Sequence, residues 1–387
     1  SFPTRRSSDL GISVNAKSKV EAMYGSSIRE LAIKACEFFN LKNADILIED
    51  AGALPFVLMA RLEAAIRRLM PDIKKSFLPE MKQFCMYETT RDRFRRSRLY
   101  LPGNSPKFMM NAGIHKPDGV ILDLEDSVSP AEKDVAAILV RNALRQVNFY
   151  GAERMVRINQ LPKGLNDLQF IVPQNVHVIL IPKCENAEQV QQVDREVQNI
   201  LNENGIQKPV YYMPIVESAL GILNAYEIAS ASKNVVALTI GLEDYTADIG
   251  TERTVDGKES LWARSMIVNA ARAARVQPID TVFSDVADME GLIQSVLEAK
   301  SLGFDGKGCI HPRQIQPIHE AFAPTNEQIN KAKKIVRAFE KAEAEGLGVV
   351  SLGSKMIDPP VVKRALHTVE LAISVNKLDE NWRKEEE

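Results

Sequence analysis

The sequence predicts an α/β chain built on a (β/α)8 TIM barrel, with a small α+β domain before it and a helical extension after it. Three observations lead there. From Arg95 onward, short apolar runs alternate eight times with mostly helical segments over about 220 residues, the size of such a barrel. Several of those runs are continuously apolar, as parallel strands buried on both faces require. A doubly wound open sheet is the other arrangement with this rhythm, but no GxGxxG follows the first run.

In chain order, residues 1–10 (SFPTRRSSDL) resemble the conceptual translation of a common DNA-sequencing adapter and are expected to replace the true start. Residues 11–72 read as the small domain. GISVNAK alternates like a strand, apolar residues from Ser18 to Phe39 recur at helical spacing, and ADILIED (44–50) is a second strand. A second helix over 57–69 carries Arg toward its end, as the helix dipole favours, and Pro71 stops it. This unit buries little core alone and reads as an appended module. Residues 73–93 are polar without a period, the candidate linker. The barrel occupies 94–325, with strands expected at 97–103, 119–126, 153–159, 176–183, 209–218, 235–244, 278–285 and 306–312. Residues 326–387 form C-terminal helices and a loop, with the EEE end a solvated tail.

Composition narrows the function classes. Net charge is −2 among 387 residues, so no global positive field exists to hold a nucleic acid. The local run Arg91, Arg93, Arg95, Arg96 and Arg98 reads as a solvated linker. Cys36, Cys85, Cys184 and Cys309 form no CxxC pair, which fits a reducing cytoplasm. No apolar stretch reaches the roughly 18 residues that span a bilayer, so no membrane contact is expected.

Functional groups of such a barrel gather where strands end. Here the ends read LPGN, DLEDS, VRIN, IPKCE, PIVES, GLEDY, FSD and CIHP. Glu217 and Asp244 stand 27 positions apart, one βα unit, which predicts neighbouring strand ends about 4.8 Å apart. Two carboxylates that close repel unless a cation lies between them, and magnesium typically binds one or two carboxylates with its other sites open. A helix cap or a salt-bridged acid is the alternative. Arg157 ends the third strand, where a permanent charge suits a carboxylate or a thioester enolate. A structural pair with Glu125 or Asp126 is the other reading. Asp123, Glu125 and Asp126 could hold metal-bound waters or cap the next helix. His311 reads more simply as a hydrogen-bonded core residue, and Cys309, Met109 and Met110 as packing. Leu101-Pro102-Gly103-Asn104 could form an anion nest.

The series RRSRLYLPGNSPKFMMNA, DGVILDLEDSVSPAEKDV, VRIN, IPKCE, PIVES, GLEDYTADIG, GKGCIHPRQI and GSKMIDPPVV, running in this order over about residues 95–375, resembles the citrate lyase β-subunit group of the HpcH/HpaI aldolase superfamily. The resemblance implies a carbon–carbon lyase with Mg2+ at Glu217 and Asp244 and substrate contacts through Tyr100, Lys107 and Arg157. It also implies an acid/base at Asp358 reaching across a subunit interface of a trimer, although Pro359 beside it also suits a helix cap. Within 11–72, SKVEAMYGSSIRE and DAGALPFVLMARLEAAIRR resemble the citrate lyase acyl carrier (γ) subunit. That family carries phosphoribosyl-dephospho-CoA on a serine near its start. Ser7-Ser8-Asp9 mimics the site but stands too close to the first strand, so the attachment serine is expected to be missing. The expected reaction is cleavage of a citryl thioester to oxaloacetate and an acetyl thioester, with an ACP- or CoA-linked substrate and the citrate lyase α subunit as partner. Malyl-CoA or citramalyl-CoA cleavage is the rival within the class, and a non-catalytic assembly or carrier subunit the rival outside it.

Overall fold

The structure, a computed structural model, describes residues 11–344, 350–352 and 355–384. The decapeptide with Ser7, Ser8 and Asp9, the positions Gly353 and Ser354, and the EEE end lie outside the described residues.

The first unit runs β1 (Ile12–Ser18), α1 (Glu21–Phe38), β2 (Ala44–Asp50) and α2 (Pro55–Leu69). Its two strands pair in parallel, Ile12 opposite Ala44 through Ser18 opposite Asp50. Ala16 and Ile48 meet Ile28, Ala32 and Leu58 in a small core. Two strands and two helices exclude little water alone, and α2 completes its burial elsewhere. Phe56, Val57, Ala60 and Ala64 belong to the main core of the barrel. Glu63 accepts both forks of Arg141 at 2.8 and 2.7 Å and the Nε of Arg67 at 2.8 Å. Burial pulls the Glu63 carboxyl up, but the bonds from Arg141 and Arg67 outweigh it and hold it below the usual carboxylate range. The unit that reads as an appended module is docked through a buried ion pair.

Residues 70–96 carry one 3-10 turn, Gln83–Cys85, and no strand or α-helix. They are tied to the barrel along their length. Tyr87 donates its hydroxyl to Ala152 O at 2.5 Å, and Asn175 donates to Cys85 O and Tyr87 O, both at 3.0 Å. The basic run is not solvated as its composition suggests. Arg95 and Arg98 are buried, and Arg96 forks onto Asp118 with both bonds at 2.8 Å. Alternation along a strand end carries such residues inward, where carboxylates and carbonyls await them.

The barrel follows as β3 (Ser97–Pro102), α3 (Pro106–Met110), β4 (Gly119–Asp123), α4 (Lys133–Gln146), β5 (Glu153–Arg157), α5 (Gly164–Ile171), β6 (Val178–Ile181) and α6 (Ala187–Glu203). It continues with β7 (Tyr211–Val216), α7 (Ala219–Leu223), α8 (Ala225–Ser230), β8 (Ala237–Ile240), α9 (Leu242–Asp248), α10 (Lys258–Ala273), β9 (Gln277–Asp280), α11 (Met289–Leu302), β10 (Gly306–Cys309) and α12 (Ile315–Phe322). The eight strands pair in parallel in sequence order, and β10 closes on β3 with Cys309 opposite Leu99. Inward positions fill the interior with Ile121, Met155, Val178, Leu180, Met213, Ile215, Ala237 and Ile279, while the outward set packs under the helices. Arg98 crosses this interior and donates to Thr239 Oγ1 at 3.1 Å; burial pushes its guanidinium down to about 10.

The extension consists of α13 (Asn326–Ala344), the antiparallel pair β11 (Val350–Leu352) and β12 (Lys355–Ile357), and α14 (Pro359–Ser374). Ile335, Val336, Val362, Ala365, Val369 and Trp382 form its core. His367 meets the Phe94 ring with centroids 6.1 Å apart, so α14 lies against the segment that enters β3, at the N-terminal end of the barrel. No helix among the described residues is long and apolar enough to cross a membrane.

Candidate active site

At the opposite end, where the strands finish, five carboxylates converge: Asp123, Glu125, Asp126, Glu217 and Asp244. Arg157 is the hub. It ends β5 and reaches sideways to the end of β4, donating Nε to Asp123 Oδ1 at 2.6 Å and Nη2 to Asp123 Oδ2 at 2.8 Å. Its Nη1 lies 2.8 Å from Glu125 Oε2 and 3.4 Å from Asp126 Oδ2. Asp123 also accepts the backbone N–H groups of Glu125 and Ser127 at 3.0 and 3.2 Å. Burial raises the Asp123 carboxyl, but the Arg157 bonds outweigh it and the net shift is downward. Asp123 therefore has its oxygens occupied: it folds the loop after β4 and fixes the guanidinium. The same carboxylate, despite the desolvation of Arg157, raises the guanidinium above its ordinary value. The Arg157 guanidinium lies over the Tyr100 ring, 5.4 Å from its centroid.

Glu217 follows β7 directly and is buried at 6% exposure. Its Oε2 has no hydrogen-bond partner. Burial, with Asp244 and Glu125 adding repulsion that Arg157 offsets only in part, pushes its carboxyl up to about 8. Room for it exists because residue 241 is glycine: a Cβ there would stand 2.7 Å from Glu217 Cγ and Oε1. Asp244 does not end a strand as its spacing suggests. The strand stops at Ile240, and Asp244 lies in the first turn of α9, an acid where the helix dipole favours one. Lys183, with a left-handed φ of 47°, stands between the acids, 3.3 Å from Asp244 Oδ1 and 3.8 Å from Glu125 Oε1. Despite partial desolvation, Asp126 and Asp244 raise its pKa above the ordinary lysine value. Burial, then a hydrogen bond with Asp126, raises Glu125.

An orphaned buried carboxylate beside a second, accessible one is a place a hard cation fits. The described residues hold no group of three or more His, Cys, Asp or Glu side chains suited to one ion. An ion here would have Glu217 and Asp244 as protein ligands and its other positions open to water or substrate oxygens, the usual manner of magnesium.

Other expected residues are placed elsewhere. Lys107 lies on the short helix α3, exposed, its Nζ 4.8 Å over the Phe108 ring and outside the acidic cluster. Asp358 caps α14, accepting Val361 N–H at 3.2 Å, and no contact among the described residues ties it to the mouth of its own barrel. His311 is not a core residue: it caps the turn after β10 by accepting Arg313 N–H at 3.2 Å. Met109 and Cys309 are buried as expected, whereas Met110 is exposed. Gly103 is no anion nest, since its N–H is spent on Asp123 O at 2.8 Å. Sequence reasoning missed Lys183, Gly241 and Gln160, which donates to Glu125 Oε1 at 2.9 Å. The signal for the first two was the one that found the acids, a polar or small residue immediately after a buried run.

A closed parallel barrel with an arginine, a lysine and five carboxylates at its C-terminal mouth has the form of a lyase or aldolase site. Residues 96–312 match the model for HpcH/HpaI aldolase/citrate lyase, and the chain belongs to that family. Residues 4–69 match a carrier-type model, that of the malonate decarboxylase delta subunit (MdcD). The chain is 41% identical over 293 residues to the citrate lyase subunit beta of Leuconostoc mesenteroides subsp. cremoris, covering 74% of this chain and 96% of that one. It is 33% identical to the mitochondrial citramalyl-CoA lyase of Rattus norvegicus, covering 73% and 87% respectively. Among solved structures it is similar to the CitE protein of Mycobacterium tuberculosis in complex with magnesium, acetoacetate and coenzyme A. That match has a TM-score of 0.59 and 29% identity, covering 73% of this chain and 99% of that one.

Proposed function

We propose that the protein is a magnesium-dependent lyase that cleaves a 3-hydroxyacyl thioester, by preference a citryl thioester, to oxaloacetate and an acetyl thioester. The observation that carries this reading is Glu217 Oε2, a buried carboxylate oxygen without a partner beside Asp244. Glu217 and Asp244 would hold the ion, which when bound supplies a Lewis acid and a template for the oxo acid. The chain's own groups divide the remaining work. As the hydroxyl gives up its proton to water, its O–H electron pair forms the ketone of oxaloacetate, and the broken carbon–carbon pair passes to the thioester as an enolate. Arg157, held by Asp123 and stacked over Tyr100, is preorganised to receive that negative charge. Lys183 orients Asp244 and Glu125.

The enolate carbon then needs a proton. Asp358, which caps a helix away from its own barrel mouth, supplies it from a second copy of the chain in a homo-oligomer, a trimer by resemblance. A phosphoribosyl-dephospho-CoA arm on a carrier protein, or free CoA, would present the acyl group, and a citrate lyase α subunit is the expected partner in exchanging it. Lys107 and Tyr100 are assigned to substrate binding. The 33% identity to a citramalyl-CoA lyase favours a second reading, cleavage of free citramalyl-CoA.

Oxaloacetate release from citryl-CoA, followed through malate dehydrogenase and NADH absorbance, tests the proposal. Activity abolished by chelator and restored by Mg2+ is expected; no release, or release indifferent to chelator, would overturn it. Mixing inactive Asp358→Asn with inactive Arg157→Ala protein tests the shared site. Mixed oligomers should regain activity, and none regained would confine Asp358 to its capping role.

A further inference from the structure

A flexible cation stands among the acids of the mouth, and the backbone is strained to put it there. Strand β6 stops at Ile181, yet Cys184 N–H still donates to Ile215 O of β7 at 2.9 Å, so the chain bends between them. Lys183 takes up the bend with a φ of 47°, a left-handed conformation that non-glycine residues seldom adopt and that persists mainly at functional sites. Its Nζ then lies 3.3 Å from Asp244 Oδ1 and 3.8 Å from Glu125 Oε1, joining an acid of α9 to an acid of the loop after β4. Both contacts are looser than the bonds of Arg157 to Asp123, at 2.6 and 2.8 Å. Burial dominates the raised carboxyl of Glu217, and Lys183 is among the charges that oppose it. The ammonium therefore acts on both acids assigned to the ion. Asp126 is differently placed. Its side chain is 55% exposed and meets Arg157 Nη1 only at 3.4 Å. No direct ion pair joins it to Lys183, yet after partial desolvation it is the strongest influence on that lysine.

We infer that Lys183 competes with the divalent ion for Asp244, and that it yields by moving over to Glu125 and Asp126. The inference rests on the magnesium-lyase reading above and deepens it, with Lys183 as a positioning residue and Asp126 as the acid that receives it. Charge decides the exchange. An ammonium and a divalent ion on one carboxylate repel each other, so tight binding of the ion requires Lys183 to leave Asp244. A compact charge on a flexible four-carbon stem can cross to Asp126 without moving the backbone, which a guanidinium held by its fork cannot. The five acids of the mouth then divide into three sets. Asp123 fixes Arg157, Glu217 and Asp244 serve the ion, and Glu125 and Asp126 serve the lysine. Lys183 lowers the affinity for the ion, and it keeps acids that would otherwise repel one another within reach of a common partner.

Calorimetric titration of Mg2+ into the whole chain reads the competition without turnover. Lys183→Met keeps the stem and loses the charge, and should bind Mg2+ on the order of tenfold more tightly than wild type. Lys183→Arg keeps the charge and should bind no more tightly than wild type. A lysine that only held Asp244 in place would give the opposite sign, since its loss would loosen a ligand. Weaker or unchanged binding in Lys183→Met therefore overturns the inference, as does tighter binding in Lys183→Arg. Asp126→Asn should weaken Mg2+ severalfold, because the displaced ammonium loses its receiving acid, and should have little effect when combined with Lys183→Met. An equal loss in both backgrounds would reflect only the general field of an acid and would contradict the move to Asp126. Absence of Mg2+ binding in wild type and Lys183→Met alike would overturn the metal reading itself, whereas equal binding in both removes the competition alone. Should Lys183→Met melt early, Lys183→Asn repeats the test with a residue that tolerates the left-handed backbone.

Discussion

The two ends of the barrel are built from the same residue types and solve opposite problems. At the N-terminal end, Arg95 forks onto Glu153 at 2.7 and 2.9 Å with both side chains fully buried. Its remaining donors go to Gln277 Oε1 at 2.9 Å and to the carbonyls of Arg91, Arg93 and Thr90 at 3.1, 3.2 and 3.3 Å. Thr89 donates to Glu153 Oε1 at 2.5 Å. Every donor of this arginine and both oxygens of its carboxylate are matched. At the C-terminal end, five carboxylates face Arg157 and Lys183 with Lys133 behind, and Glu217 Oε2 is left without a partner. A satisfied buried pair holds a fold together, whereas an unsatisfied one is a reserve of electrostatic free energy that a ligand can release. The difference teaches which end is structure and which is site.

The comparison breaks most visibly when one partner is removed from the satisfied end. Glu153→Ala leaves Arg95 buried and unpaired and should cost about 3–5 kcal/mol of unfolding free energy, read from urea midpoints. A loss under about 1 kcal/mol, the scale of an exposed pair, would mean the end is wetter than its geometry. At the mouth, Arg157→Lys keeps the charge and loses the fork onto Asp123. Turnover should fall on the order of a hundredfold or more with a smaller loss of stability, and an unchanged rate would move Arg157 to the structural side.

The N-terminal end also has a pH signature. His177 accepts Arg154 N–H at Nδ1 at 3.2 Å and donates from Nε2 to Tyr87 O at 3.0 Å, so its neutral form satisfies both nitrogens. Burial, with Arg154 adding repulsion, pushes its pKa down to about 3. Unfolded chains take up this proton below about pH 6.5 and the folded chain does not until far lower, so stability is lost as pH falls. Between about pH 7.5 and about pH 5.5 this group alone removes about 1.4 kcal/mol. That slope should be absent in His177→Asn, and the same slope in both proteins would contradict the assignment. The smallest effect has the opposite sign. Glu217→Gln removes a carboxyl that burial holds protonated above its ordinary range, and should stabilise the metal-free protein at neutral pH by about 1 kcal/mol, as relief of a functional site often does. Destabilisation would place Glu217 with the structural acids.

The contrast between the ends also explains what was legible in the sequence. All eight barrel strands were readable, because continuous apolar runs such as VILI at 178–181 leave few alternatives. Their C-terminal limits were not. PIVES and GLEDY continue as polar loop or helix, and the helix start at Leu242 displaces Asp244 from the strand end that a fixed period implies. The acids and Arg157 were visible as polar residues after buried runs, but their division of labour was not. Asp123, Glu125 and Asp126 look equivalent in DLEDS, and only three-dimensional pairing assigns Asp123 to Arg157 and leaves Asp126 exposed. The burial of Arg95 and Arg98 was illegible for the same reason, since their partners lie far along the chain at Glu153, Gln277 and Thr239.

The measurement that tests the central claim most directly is the thermal melt of wild-type and Glu217→Gln protein with and without Mg2+. An ion bound by the folded state alone raises the melting temperature with concentration. Mg2+ should therefore stabilise the wild type and leave Glu217→Gln, which has no carboxylate to offer the ion, nearly unmoved. An equal shift in both proteins, or none in the wild type, would contradict the assignment of the mouth carboxylates as the metal site.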